Sequence, residues 1–391
     1  MLKRISLLAF LTLCSFITPS TLQAGRDSYP PSLRNRQAAA SRNACERGWF
    51  TTEYLYWRIK DSPEPVPLVV ELPSSNVVLG GKDIGSDWRS GGKVGLGYWF
   101  DNSHLLGMEI NYTFFPEQSS SRKVSSDASP ASAFLAVPYF NVYTGLNDFD
   151  PIAIPGDFQG SASLRSASCM QSSEANIIAR IPDNCGINLV LVAGLRYWSY
   201  YNELTFRTSS PFIPPQVVDI YKTSDNFDAR NNFYGGQVGA KLEVKSNQFF
   251  ASIMGKVAIG TMHQRLAIKG YLKTNDFNGF GAPQKFKGGY FALPSNIVER
   301  SRDVTATIPE GNISFGFVTD VYKVEVGYSA MYVNNVLWAG KSISPFINPT
   351  QSVALTENPG AVLVGPKEPR AQFKSGGFWA HGLNVSLEFT F

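Results

Sequence analysis

The chain has 391 residues, 13% aromatic and 17% charged, with 34 Gly and 24 Pro. Its formal net charge of +4 comes without a Lys/Arg cluster, which argues against an electrostatic nucleic-acid binder. Its Cys and His residues lack zinc-ligand spacing, so no metal and no cofactor is expected.

The first segment carries the pattern of an export signal. Lys3 and Arg4 precede an apolar run from Ile5 to Ile17, followed by Pro19 and Leu22-Gln23-Ala24. Residues 1–24 are read as a signal peptide, with the mature protein starting at Gly25; the apolar run is too short to span a bilayer as a helix. Leu13 stands where a small residue should precede a lipidated cysteine, so Cys14 is not read as an anchor. Cys45, Cys169 and Cys185 survive processing and admit at most one internal bridge. Residues 25–48 are expected to be a periplasmic segment preceding a barrel over 49–391.

From Trp49 onward the pattern is alternation. "KVGLGYWF" puts Val94, Leu96, Tyr98 and Phe100 on one face, opposite Lys93, Gly95 and Gly97. After Asp101-Asn102-Ser103, "HLLGMEINYTFF" sets Leu106, Met108, Ile110, Tyr112 and Phe114 against Gly107, Glu109, Asn111 and Thr113. The unit recurs in "INLVLVAGLRYW", "FYGGQVGAKLEV", "QFFASIMGKVAIG", "NISFGFV" and "YKVEVGYSAMYV". Strands are expected from Trp49, over 93–100, 104–115, about 158–179, 187–207 and 227–244. Others are expected from Gln248, Val298 and Tyr322, and in the C-terminal segment.

A soluble sandwich also alternates. Three features favour a membrane barrel: connections that alternate between short and long, aromatics near many strand ends, and export without a disulfide framework. The expected fold is all-β, a transmembrane antiparallel up-and-down barrel of about ten strands with short periplasmic turns and long external loops. Those loops are placed at about 61–90, 116–157, 208–226, 271–297 and 334–375. The segment "GLNVSLEFTF" is expected to close the barrel against the first strand. Phe389 and Phe391 are its assembly signature, read by the barrel-assembly machinery. Outer-membrane lipid is the other expected partner, and the outer membrane the expected location.

The sequence also resembles the planctomycete outer-membrane family called beta-barrel porin seven. The matching stretches are "EYLYW" (53–57), "GGKVGLGYWFD" (91–101), "AGLRYWSYYNEL" (193–204) and "RNNFYGGQVGAKLEV" (230–244). They continue with "GKVAIGTMHQ" (255–264), "LPSNIVERSRDVTATIPEGNISFGF" (293–317), "INPTQ" (347–351) and "GGFWAHGLNVSLEFTF" (376–391). The resemblance implies fold and location, and brings no active site with it.

The face opposite the lipid carries Glu53, Glu109, Glu174, Glu243, Glu325 and Glu388 beside Lys93, Arg196, Lys241, Lys256 and Lys323. Barrels of about eight strands are filled by side chains and those of about sixteen hold a channel. In a ten-stranded lumen these charges are expected to pair, giving a narrow or plugged barrel that presents surface loops. A diffusion pore tuned by the same charges is the second reading, with room left by Gly95, Gly97, Gly107, Gly194, Gly239 and Gly327. A surface adhesin or receptor is the alternative. A rim hydrolase around His263, Gln264 and Arg265 is a third class, for which no nucleophile motif appears, so the chain is not expected to be an enzyme. "LNDFDP" (146–151) lacks EF-hand spacing and is read as an acidic loop, and "SGGKVGLG" as a strand. The external ligand or solute stays unidentified.

Overall fold

The computed structural model describes residues 47–391, apart from 86–87, 183–185, 212–219, 276–281 and 320. The expected signal peptide, Gly25, nearly all of the 25–48 segment, Cys14, Cys45 and Cys185 lie outside the described residues.

Ten strands form a ring: β1 (Gly48–Ile59), β4 (Trp88–Trp99), β5 (Leu106–Ser126), β8 (Gly160–Pro182), β9 (Ile187–Pro211), β10 (Ile220–Ser246), β11 (Phe249–Thr274), β13 (Glu299–Val318), β14 (Tyr322–Leu337) and β16 (Ser375–Thr390). Each pairs antiparallel with its ring neighbours, and the ring closes through β1–β16, in register from Trp49↔Thr390 to Ile59↔Ala380. Closure removes the exposed edges that an open sheet would have to protect. A short strand, β12 (Gln284–Lys287), pairs with the outer end of β11.

Period-2 alternation decides which side chains face out. Leu195, Val238, Ile259 and Phe315 are 60–70% exposed, a burden only a hydrocarbon layer relieves. Aromatics bound this band: Phe50, Tyr98, Phe249 and Phe389 near the short turns, and Tyr54, Tyr56, Tyr112, Tyr234 and Tyr332 toward the other end. Phe391 follows β16; its backbone exchanges two 2.9 Å hydrogen bonds with Gly48, and its ring lies over that glycine.

The wall is uneven. β8 to β11 run far beyond the apolar band, whereas β1 and β4 stop soon after it. The regions expected as long loops are therefore more ordered than composition suggested. Within 208–226, the described residues 208–211 and 220–226 are the outer ends of β9 and β10. The segments 61–90, 116–157 and 334–375 contribute a second, five-stranded sheet: β2 (Pro67–Leu72), β3 (Asn76–Gly80), β6 (Phe134–Asn141), β7 (Leu146–Ala153) and β15 (Phe346–Ile347). "LNDFDP", expected as a loop, is most of β7, because Asp148 and Asp150 find buried hydrogen-bond donors there.

Candidate functional site: the barrel lumen

The inward side chains stack in tiers from the periplasmic turns outward. Nearest the turns, Lys323 Nζ lies 2.7 Å from Glu243 and 3.9 Å from Glu325, while Lys241 lies 3.9 Å from Glu243 and 4.0 Å from Glu325. Lys323 also sits 3.9 Å from the centre of the Phe250 ring. The Thr51 hydroxyl donates to Glu388 at 3.4 Å. Lys93 and Glu53, cross-strand partners on β4 and β1, pair at 3.4 Å.

Deeper in, a buried cluster joins β8, β9, β11 and β13. Lys256 Nζ lies 2.8 Å from Glu174 and 3.6 Å from Glu310; Arg196 Nη1 lies 2.7 Å from Glu310 and 3.8 Å from Glu174. The Gln237 amide donates to Glu174 at 2.9 Å and to Asn176 at 2.6 Å, and the Asn176 amide donates to Glu109 at 2.9 Å. Each of the two acids here meets both bases, which is what makes an ionic cluster tolerable away from bulk water. A cavity of about 170 Å³ remains among these side chains, lined by Glu53, Lys93, Glu174, Arg196, Lys256 and Glu310 among others.

Above the ions comes an aromatic tier. Trp198 packs against Phe378 with ring centres 5.4 Å apart, and Tyr200 lies 4.7 Å from Phe378 and 5.6 Å from Trp338. Trp338 belongs to a strut that leaves β14 and reaches β9 and β10, well around the ring. Asn231 donates to the Leu337 carbonyl at 3.1 Å and accepts its amide at 2.7 Å, while Asn202 accepts the Ala339 amide at 2.7 Å. Both asparagines are fully buried, so these bonds hold a polar strand of chain across an apolar space.

The outermost tier is an apolar core shared by wall and loops. Leu164, Leu204, Phe206, Phe227 and Leu266 from the wall meet Leu68, Leu135, Phe291, Leu293 and Ile343 from the second sheet and its connections. Asp225 on β10 fastens the core by accepting the amides of Tyr290, Phe291 and Ala292 at 2.7–3.1 Å. The Tyr290 hydroxyl donates to Asp150 on β7 at 2.6 Å. Burial raises the Asp150 carboxyl to about 7 against the pull of that hydrogen bond, and the Asp225 carboxyl to about 6 against its three amides.

Alternation placed the charges named from sequence on inward faces, and the structure brings Glu174, Arg196 and Lys256 together with the acid that reasoning omitted, Glu310. Glu310 follows Pro309, yet stepping back by twos from Ser314 through Asn312 reaches it. Stepping forward from Glu174 likewise reaches Arg180, whose guanidinium lies 4.5 Å from the Trp99 ring centre. The room expected above the inward glycines is occupied: Trp49 lies over Gly97, Trp99 over Gly107, and the Asn111 and Asn176 side chains over Gly95 and Gly194. His263 is on the outward face of β11, its Nδ1 2.7 Å from Asp303, and Arg265 pairs with Glu299 at 2.6 Å; the Gln264 side chain points inward, accepting from Arg302 at 2.8 Å. The three expected rim residues therefore do not converge. Cys169 is a free thiol.

None of the curated proteins matches the chain by sequence. Among solved structures it is similar to the outer membrane protease OmpT from Escherichia coli, at 10% identity over 89% of this chain and 97% of that one, with a TM-score of 0.42. It is also similar to a Pseudomonas aeruginosa FadL homologue, at 8% identity over 88% and 90% of the chains, TM-score 0.21. The toluene transporter TodX from P. putida matches at 6% identity over 90% and 91%, TM-score 0.17. The family model described as "Putative beta barrel porin-7 (BBP7)" matches residues 49–391, from the second residue of β1 to the residue after β16. With a closed ten-stranded wall and a lipid-facing band spanning the same residues, this chain belongs to the BBP7 family and is an outer-membrane β-barrel.

Proposed function

We propose that this protein is a closed outer-membrane scaffold whose work is done by the folded segments it presents outside, not an open diffusion pore. The observation that carries this reading is the filled outer half of the lumen. There the strut 337–339, the aromatic tier and a continuous apolar core lie in the path that a solute would follow. Opening it would expose that core to water and break the buried asparagine bonds, so a resting pore along this route is disfavoured. We keep the chain non-enzymatic because its rim residues diverge: His263 and Arg265 face outward, whereas Gln264 points inward.

Single-channel recording of the full-length protein in planar bilayers tests this. A closed scaffold shows no stable unitary current. The polar cavity at the periplasmic end supports the second reading, a narrow selective pore. Steady wild-type openings whose reversal potential moves in Arg196→Ala or Lys256→Ala would establish that reading and discard ours.

A further inference from the structure

The tall wall carries cations that nothing in the lumen explains. On its outer face Lys222 of β10 is in register with Lys273 of β11, which is in register with Lys285 of β12. Lys287 is one row below, beside Tyr271, and Arg207 and Lys123 continue that row across β9 and β5. All six are exposed, and among the described residues none of them forms an ion pair. Among the described residues, Glu203, Asp228 and Glu299 on this wall lie lower and are engaged: Glu203 by Thr205 and Tyr201, Asp228 by Tyr201, and Glu299 by Arg265, within electrostatic reach of Lys269. Asp127, just past the end of β5 and one row above Lys222, accepts the Ser129 amide at 3.0 Å. Like charges directly opposite across a sheet repel, so the row costs stability unless an anion lies over it. Protection of a free edge would account for Lys285 and Lys287 on β12, but not for cations on paired wall strands.

Between these cations the surface is grooved. Two shallow depressions, of about 580 and 410 Å³, share Arg207 and Tyr271. Their floors present Ser161, Ser163, Ser209 and Ser224, while the Thr205 hydroxyl and Asn226 amide there are turned to Glu203. The half-buried Tyr271 ring has Lys285 4.8 Å and Lys273 5.3 Å from its centre. Serine hydroxyls on the floor, one aromatic ring and a cationic rim match sugar hydroxyls, a sugar face and repeated oxyanions.

Height separates a polymer from a lipid headgroup. Lys269 is ten residues beyond the exposed apolar Ile259 on β11. At about 3.4 Å per residue and a tilt of about 40°, the patch starts roughly 25 Å above that residue. The polar layer of one leaflet is only roughly 5–8 Å thick. We infer that the outer wall formed by β5 and β8–β12 is a binding surface for an anionic polysaccharide, held by Arg207, Lys222 and Lys273 with Tyr271 as a stacking platform. This surface lies outside the barrel, and its use does not depend on whether the lumen conducts.

Full-length protein in phosphatidylcholine nanodiscs is titrated with polygalacturonate, dextran sulfate and neutral dextran by biolayer interferometry. Both polyanions should bind and neutral dextran should not, with affinity falling about tenfold or more as salt is raised through the physiological range. The triple variant Arg207→Gln, Lys222→Gln, Lys273→Gln should bind about tenfold or more weakly, while a control of equal charge loss, Lys82→Gln, Lys367→Gln, Lys374→Gln, should bind like wild type. Tyr271→Ala should weaken polygalacturonate binding, with heat-modifiable gel mobility retained in every variant. Equal binding of neutral dextran, an unaffected patch variant, or an equally affected control would each overturn the proposal. So would capture of phosphatidylglycerol vesicles through the patch while both polysaccharides fail, which would make this wall a lipid-reading surface.

Discussion

The two ends of the lumen fill the same kind of space by opposite means. Toward the periplasm the strands supply everything: Glu174, Glu310, Arg196 and Lys256 reach inward from four wall strands and pair with one another. Toward the outside the strands supply only half of an interface, the apolar faces of Leu204, Phe206 and Phe227, and distant loop segments bring the other half. A narrow ring brings charges from neighbouring strands close enough to pair, whereas the taller outer wall surrounds a volume that its own side chains do not fill. The first solution is local to the wall, and the second needs the whole chain.

That contrast can be broken at either end. The largest effect is expected in the ionic tier. Lys256→Ala leaves Glu174 and Glu310 sharing Arg196 alone, and should cost about 3–5 kcal/mol in refolding titrations in lipid vesicles. Replacing one base and one acid together, Arg196→Met with Glu310→Gln, keeps Lys256 matched to Glu174 and should cost much less than Lys256→Ala. A double variant no better than Lys256→Ala would show that pairing is not what stabilises this tier.

Truncating the apolar end should cost slightly less and act elsewhere. Leu204→Ala should lose about 2–5 kcal/mol. Hydrogen exchange should show the loss concentrated in the second sheet and the 288–296 segment. Amides of the ring near the periplasmic turns should keep their protection. Equal deprotection of both ends would mean that the lumen is one cooperative unit and that the division is artificial.

The wall itself offers a smaller contrast between its faces. Ile110→Arg or Ile253→Arg, both on the lipid side, should cost roughly 2–4 kcal/mol. Asn111→Arg points inward beside Glu109, which now accepts the Asn111 and Asn176 amides at 3.2 and 2.9 Å, and should cost less. Equal penalties in vesicle refolding would reverse the assignment of faces.

The smallest effect is a pH response confined to the outer end. Asp150 and Asp225 are held above the usual carboxylate range, at about 7 and about 6, so folding of the cap favours their protonated forms. Their contribution is complete below about pH 4, where the unfolded groups are also protonated, and declines as pH rises through the folded values. Exchange protection of the 288–296 segment should fall from pH 4 to 7.5, corrected for intrinsic exchange, and Asp150→Asn should flatten part of that slope. A flat wild-type profile would remove the coupling between these acids and the cap.

Alternation with a period of two, read along the chain, determined the ten ring strands, their lipid and lumen faces and the inward charges from Glu53 to Glu388. It did so because a strand's faces are set by its own residues, whatever it pairs with. Glu310 and Arg180 were legible by the same rule carried two or three steps further. The sequence could not show that Asp148 and Asp150 belong to a strand, that Asn202 and Asn231 grip residues 337–339, or that Trp49 covers Gly97. Nor could it show that Lys222, Lys273 and Lys285 share one row. Each of those depends on which distant segments the ring brings together, and on register between strands tens of residues apart. The hydrophobic pattern constrains such register, but it becomes visible only when the chain has folded.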